Sequence, residues 1–375
     1  MKNCRLLFEK NNNSKIEYKF KNKLKLKNKC FIYEIKVGDV FNGDHIYEII
    51  SVVNYVKNFY RQKIPIVIYL GEFEFYDKLV YIILESIVYY LNKIEHHHIE
   101  VHFKANHNIW TEGIRYSPLV NSNTLVDKYM YDLNMNHFRK YIPNNYDRKK
   151  EFISDLFHDI YCFLVNNSVE EATSEQLSEA LIELVGNASE HGNSECILDI
   201  DITATSYGKE NDDGVYYGMN AVVLNYSSTL FYEPLKNKLN NEENLSGRYE
   251  NVLKAKEYHM NHQHDNYCEN DFYTISSFQH KISGSTEKDE TGGTGLTRLL
   301  ESLEDNSDTH LCYMLSGRRI LFFDKKTMVH SDNNYVGFNQ NGDYFSSIPD
   351  NEVFSTIKTY FPGVAYNLNY AIKKE

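Results

Sequence analysis

Glu175-Gln-Leu-Ser-Glu-Ala-Leu-Ile-Glu-Leu-Val-Gly-Asn-Ala-Ser-Glu-His-Gly192 is the stretch from which the rest of the chain is read. Leu177, Ala180, Leu181, Leu184, Val185 and Ala188 recur at helical spacing and predict an apolar stripe that packs on a core. Glu179, Glu183, Asn187 and His191 stand four apart, which lines two carboxylates, a carboxamide and an imidazole along a second face. Thr173 is the expected N-cap, with Gln176 as its capping-box partner and Gly192 as the stop. Unlike an ordinary surface helix, this one carries no Lys or Arg on its polar face. A carboxylate one turn from an Asn suits a hydrated Mg²⁺ and an activated water, because Mg²⁺ takes oxygen ligands and keeps several waters.

Far downstream, Thr291-Gly-Gly-Thr-Gly-Leu296 opens the apolar run Leu296, Leu299, Leu300 and Leu303. Glycines ahead of a helix let backbone N–H groups approach a phosphate, and the helix N-terminus adds a favourable dipole. Together and in this order, the two stretches resemble the N box and the last glycine box of the GHKL superfamily, the Bergerat-fold ATPases. Glu183-Leu-Val-Gly-Asn187-Ala-Ser-Glu-His191-Gly192 is most similar to the version found in anti-sigma-factor kinases.

The resemblance spans residues 150 to 373 and implies an α+β two-layer Bergerat sandwich that binds ATP and Mg²⁺. It makes Glu183 the general base and Asn187 the Mg²⁺ ligand, with His191 in the same site. Gly292, Gly293, Thr294, Gly295 and Leu296 would surround the phosphates. In that family the adenine-reading strand ends in Asp-x-Gly-x-Gly. Here Asn225-Tyr-Ser-Ser228 stands in its place, so a carboxamide oxygen is the expected adenine acceptor and both glycines are missing. Residues 231 to 290 form a polar stretch where the ATP lid would lie. Lys281 and Lys288 are the cations ahead of the glycine box that can reach a γ-phosphate, with a surface role as the alternative for either.

At 375 residues the chain can hold two domains with ordinary cores. A hydrophobic fraction of 42% argues for a folded chain. The net charge of −12 argues against broad nucleic-acid binding. Six scattered cysteines without a Cys-x-x-Cys pair read as reduced thiols of a cytoplasmic protein. No apolar run reaches membrane-spanning length, so no membrane association is expected.

Upstream, residues 1–30 read as an arm or hairpin, with Ile16, Tyr18 and Phe20 alternating. Residues 31–143 read as a small α/β domain. Its expected elements are a helix from Ile46 to Val56, a buried strand from Ile64 to Leu70, a helix from Asp77 to Leu91, a strand from Ile99 to Lys104 and a helix from Val126 to Tyr141. The strand-turn-helix at Leu70 to Leu79 is similar to a STAS-type regulatory domain. Phosphorylatable members carry a Ser in that turn; here Asp77 stands there, as a permanent charge or a helix cap. His96-His-His98 with His102 raises a metal reading, but adjacent histidines on a strand cannot all point one way, so a loop-to-strand junction is expected. His259, His262, His264, Asp265 and Cys268 match no standard finger spacing, with a solvated loop as the alternative.

A polar boundary at Asn144 to Lys150 leads into a helix from Lys150 to Asn166 and the ATP-binding domain that the resemblance implies at 150–375. Its other expected elements are a hairpin of Cys196–Ala204 with Val215–Tyr226, a strand pair flanking Ser316-Gly-Arg318, and a closing strand from Val364 to Ile372. Three functions fit these residues. They are an intracellular ATP-dependent switch with slow hydrolysis, a Ser/Thr kinase of the anti-sigma type, and a nucleotide sensor without turnover. The expected partners are ATP and a protein, a second copy of the chain included.

Overall fold

The computed structural model describes the chain except for residues 13–22, 61, 106–121, 128, 145–149, 191, 193, 204–206, 210–211, 242–244, 246, 283–294, 307–311, 332–333 and 374–375. It is a mixed α/β structure with two sheets.

The first half contains α1 (Arg5–Lys10), β1 (Lys25–Lys27), β2 (Cys30–Glu34), β3 (Val40–Phe41), α2 (Gly43–Phe59), β4 (Ile66–Phe75), α3 (Lys78–Tyr89) and β5 (Ile99–Ala105). β4 is central and runs parallel to β2, β3 and β5, as expected when strands alternate with helices. Ile66 and Ile68 are fully buried but Tyr69 is 45% exposed, so β4 buries one face rather than the two expected of its apolar run. Of the arm or hairpin expected over residues 1–30, a hairpin forms at the end, where β1 pairs antiparallel with β2 from Lys25↔Ile32 to Lys27↔Cys30. The first residues are instead helical and packed. Cys4, Leu7 and Phe8 are buried, and Asn11 exchanges two hydrogen bonds with the Tyr360 backbone. The alternating residues at 16–20 lie outside the described residues.

The second half contains α4 (Ser122–Asp127), β6 (Tyr131–Leu133), β7 (His137–Ile142), α5 (Lys150–Asn166), α6 (Glu171–Glu190), β8 (Cys196–Ile202), β9 (Tyr207–Lys209) and β10 (Asp212–Asn225). Then follow α7 (Glu233–Asn241), α8 (Arg248–Asn261), α9 (Glu269–Ser277), α10 (Gly295–Asn306), β11 (Tyr313–Phe322) and β12 (Phe354–Lys373). The sheet is antiparallel in the order β11-β12-β10-β8-β7-β6, with β9 also on β10.

The helix expected at Val126–Tyr141 is not formed. Residues 131–142 make the β6–β7 hairpin, and β7 pairs along β8 from His137↔Asp201 to Ile142↔Cys196. Short segments satisfy periods of 3.6 and 2 at once, and here the long-range strand pairing decides. The second sheet therefore begins at Tyr131, ahead of the polar stretch at 144–150. The strand pair expected around Ser316-Gly-Arg318 is instead one strand, β11, with irregularities on either side of Gly317. It pairs along β12, whose 20 residues absorb Phe361-Pro-Gly363.

Alternation along β8 and β10 sorts the packing. Leu198, Ile200, Ile202, Met219, Ala221 and Val223 belong to one core cluster with the buried stripe of α6 and with Leu299, Leu300 and Leu303 of α10. Ile197, Val222 and Leu224 belong to a second cluster with α2, α3 and the first sheet. Helix α3 is thus wedged between the two sheets. Its residues Lys78 to Val88 are all buried, which fits its nearly uninterrupted apolar sequence. Among the described residues no helix is long and apolar enough to cross a membrane.

Candidate functional site

Helix α6 starts at Glu171, two residues before the expected Thr173 cap, and buries the whole stripe Leu177, Ala180, Leu181, Leu184, Val185 and Ala188. Its polar line faces α10. Gln176 donates to Asp305 at 2.9 Å, Arg298 pairs with Glu179 at 2.8 Å, and Glu183 lies on Gly295. Moving up α6 means moving down α10, so the two helices run in opposite directions and the N-terminus of α10 meets the middle of α6. A Cβ at position 295 would overlap Cγ and Cδ of Glu183, so a larger residue there would have to displace that side chain. The two motifs that lie far apart in sequence are therefore in contact.

Asn187 is half-buried one turn beyond Glu183, and Leu296 is half-buried against the core. Asn225 ends β10 at 4% exposure. Its Nδ2 donates to Ser194 Oγ at 2.8 Å, and a Cβ at Gly192 would stand 2.6 Å from that nitrogen. Glu183, Asn187 and Gly295 are thus gathered on α6 and α10, and Asn225 sits at the C-terminal end of α6 beside Gly192. Lys281 is exposed, at a left-handed φ of 60°, in the turn after α9. His191, Lys288, Gly292, Gly293 and Thr294 lie outside the described residues.

Three residues of this region escaped the sequence reading. Arg298 neutralises Glu179, and Ser194 holds Asn225. Thr297 Oγ1, in the first turn of α10, is sealed from solvent with no hydrogen-bond partner among the described residues. An orphan buried hydroxyl at a helix N-terminus is a position a ligand oxygen can satisfy.

A second concentration of charge lies between α3 and the sheet. Lys78 and Glu85 of α3 face His137 and Arg139 of β7 and Asp199 and Asp201 of β8, all buried. Lys78 pairs with both Asp199 and Asp201; Arg139 pairs with Asp199 and, at 2.8 Å, with Glu85. His137 Nε2 lies 3.0 Å from Asp199. Burial pulls the His137 imidazole down, but the attraction of Asp199 and Asp201 outweighs it and raises the pKa above the ordinary value. Burial pushes the Asp199 carboxyl up, and Arg139, Lys78 and His137 overcome that and hold it well below the usual range. Desolvation wins at Asp201 and Glu85, whose carboxyls are raised. His137, Asp199 and Asp201 are a donor set a cation could use, but the Lys78 ammonium already stands between the two aspartates. Its signal in the sequence is two charges on an otherwise apolar helix and two Asp at alternate positions of an apolar strand.

Among the described residues neither of the other histidine clusters brings three ligand atoms together. His259 is fully buried among aromatics, with Nδ1 2.7 Å from the Tyr267 hydroxyl and Nε2 2.8 Å from the Tyr344 carbonyl oxygen. Burial lowers its pKa, consistent with a neutral ring. The segment expected to be a polar lid folds into α7, α8 and α9, and Phe272, Ile275 and Phe278 join the main core. His98 and His102 both bond Glu100, while the buried His97 ring lies 2.8 Å from the Ile64 carbonyl oxygen. Asp77 caps α3, accepting from Val80 N–H at 2.8 Å, and also accepts from the buried Tyr313 hydroxyl at 2.6 Å. Compared with known proteins, the chain matches no family model, no curated protein and no solved structure.

Proposed function

We propose that the chain is an ATP- and Mg²⁺-binding protein of the GHKL type, with a Bergerat-like second half and a STAS-like first half. In this reading it acts as a nucleotide-dependent intracellular switch with slow hydrolysis. The observation that carries it is the seat of Glu183 on Gly295, which joins the carboxylate–carboxamide face of α6 to the glycine-led N-terminus of α10. The residues fit the ligand. The α10 N-terminus favours an anion, and Thr297 in its first turn carries a hydroxyl with no hydrogen-bond partner among the described residues.

Mg²⁺, when bound, would neutralise charge on the phosphates. Asn187 supplies a carboxamide oxygen toward it. Glu183 orients a water, or a protein hydroxyl, and accepts its proton. By the resemblance, the glycine stretch from Gly292 to Gly295 would offer backbone N–H groups to phosphate oxygens. Asn225 offers its oxygen to the base amino group.

Incubation with γ-labelled ATP, alone and with cell extract, tests the reading. Free phosphate marks an ATPase, a labelled protein marks a kinase, and binding without either marks a sensor. Glu183→Ala should abolish turnover and spare binding. Turnover that survives the substitution removes Glu183 as the base.

A further inference from the structure

We infer that Ser194 is a positioning residue that sets base choice: it holds the carboxamide of Asn225 with the oxygen outward, which selects a 6-aminopurine over a 6-oxopurine. The inference rests on the nucleotide reading above and deepens it.

A carboxamide has one accepting end and one donating end, and a half-turn about its last torsion exchanges them. A carboxylate at the same place would accept at both ends and need no orienting. An Asn reads one base only if something fixes which end faces out. Ser194 does this from a buried position: at 2% exposure its Oγ takes the Nδ2 hydrogen at 2.8 Å. The end of α6 closes over the same nitrogen. A Cβ on Gly192 would stand 2.6 Å from Nδ2 and 2.5 Å from the Ala188 carbonyl oxygen, so the backbone there fits close around the amide. The oxygen is treated differently. Oδ1 is the end of the amide turned away from Ser194 and, among the described residues, takes no hydrogen bond. An outward acceptor matches the exocyclic amine of adenine and opposes the carbonyl of hypoxanthine or guanine. A site that mispairs a buried polar group discriminates by about tenfold or more.

Calorimetric titration of the full chain with Mg-ATP and with Mg-ITP, which differ in that amine and carbonyl and in the proton on the neighbouring ring nitrogen, tests the assignment. The wild type should favour ATP by about tenfold or more. Ser194→Ala should bring the two affinities close together while ATP still binds. Asn225→Asp should keep the preference, and adding Ser194→Ala to it should change nothing, because a carboxylate has no wrong end. A preference that survives Ser194→Ala, or that is lost in the double variant as in the single one, overturns the role of Ser194 and leaves nucleotide binding standing. Equal affinity of the wild type for both nucleotides overturns it as well. A wild type that binds neither overturns the nucleotide reading and this inference with it.

Discussion

The side chain of Glu183 rests against the Cα of Gly295, in the space where any other residue would carry its Cβ. This contact lies where the polar faces of α6 and α10 meet, beside the Arg298–Glu179 pair. It also puts a carboxylate at the positive end of a helix, a favourable placement in its own right.

Gly295→Ala should therefore force Glu183 aside. Overpacking of this kind costs about 1–3 kcal/mol. Because Glu183→Ala removes the obstructing atoms, the double variant should be less destabilised than the sum of the two single ones. Urea denaturation of the four proteins measures the coupling. Additive costs would mean that the two residues do not touch.

Lys78 stands between Asp199 and Asp201 in a sealed interior. Lys78→Met keeps the length of the side chain and removes the charge, leaving two carboxylates with less compensation. Loss of one partner of a buried ionic group costs about 3–5 kcal/mol. Denaturant unfolding should show a loss of that size; a change within experimental error would mean the charges are not enclosed together.

His137 gives this cluster a pH dependence. Its folded pKa lies above the ordinary 6.5, so the proton it gains on folding stabilises fully below the unfolded value. That contribution is lost as pH rises through the folded value. Asp199 acts in the opposite sense, with stabilisation present above its unfolded value and lost as pH falls through its depressed folded one. The raised carboxyls of Asp201 and Glu85 share the sign of His137 but start from lower unfolded values, 3.8 and 4.5. His137→Gln should therefore flatten the fall of stability with rising pH that begins near neutrality, leaving the acid limb in place. Unfolding curves for both proteins across about pH 5–9 check this. An unchanged slope would contradict it.

Tyr313 ties β11 to the cap of α3 through its bond to Asp77. Burial raises the Asp77 carboxyl even though the Tyr313 hydroxyl and the helix N–H groups oppose it. Tyr313→Phe removes one of those supports and should cost about 1–3 kcal/mol. Thermal unfolding measures it, and an unshifted midpoint would count against the bond.

Much of the fold can be read from local patterns. The period of the α6 stripe, the apolar length of α3 and the strand–helix alternation from β3 to β5 each predicted an element that formed. Failures came where distant partners decide. The β6–β7 hairpin has apolar residues that also fit a helix, and only pairing with β8 places His137 and Arg139 over Asp199 and Asp201. At the candidate site, Glu183, Asn187 and Gly295 stood out by type and spacing. Ser194 and Thr297 did not, because a serine or threonine gains meaning only from the group beside it. Asp77 was legible as a helix cap, but the buried Tyr313 that shares it lies in the other sheet.

The central claim is that α6 and the N-terminus of α10 hold a magnesium nucleotide between them. Calorimetric titration of the purified chain with ATP, with and without Mg²⁺, tests it most directly. The account predicts saturable binding that weakens when Mg²⁺ is withheld and when Asn187 is changed to Ala. Heat indistinguishable from dilution for every adenine nucleotide, with Mg²⁺ present and the protein folded, would contradict it.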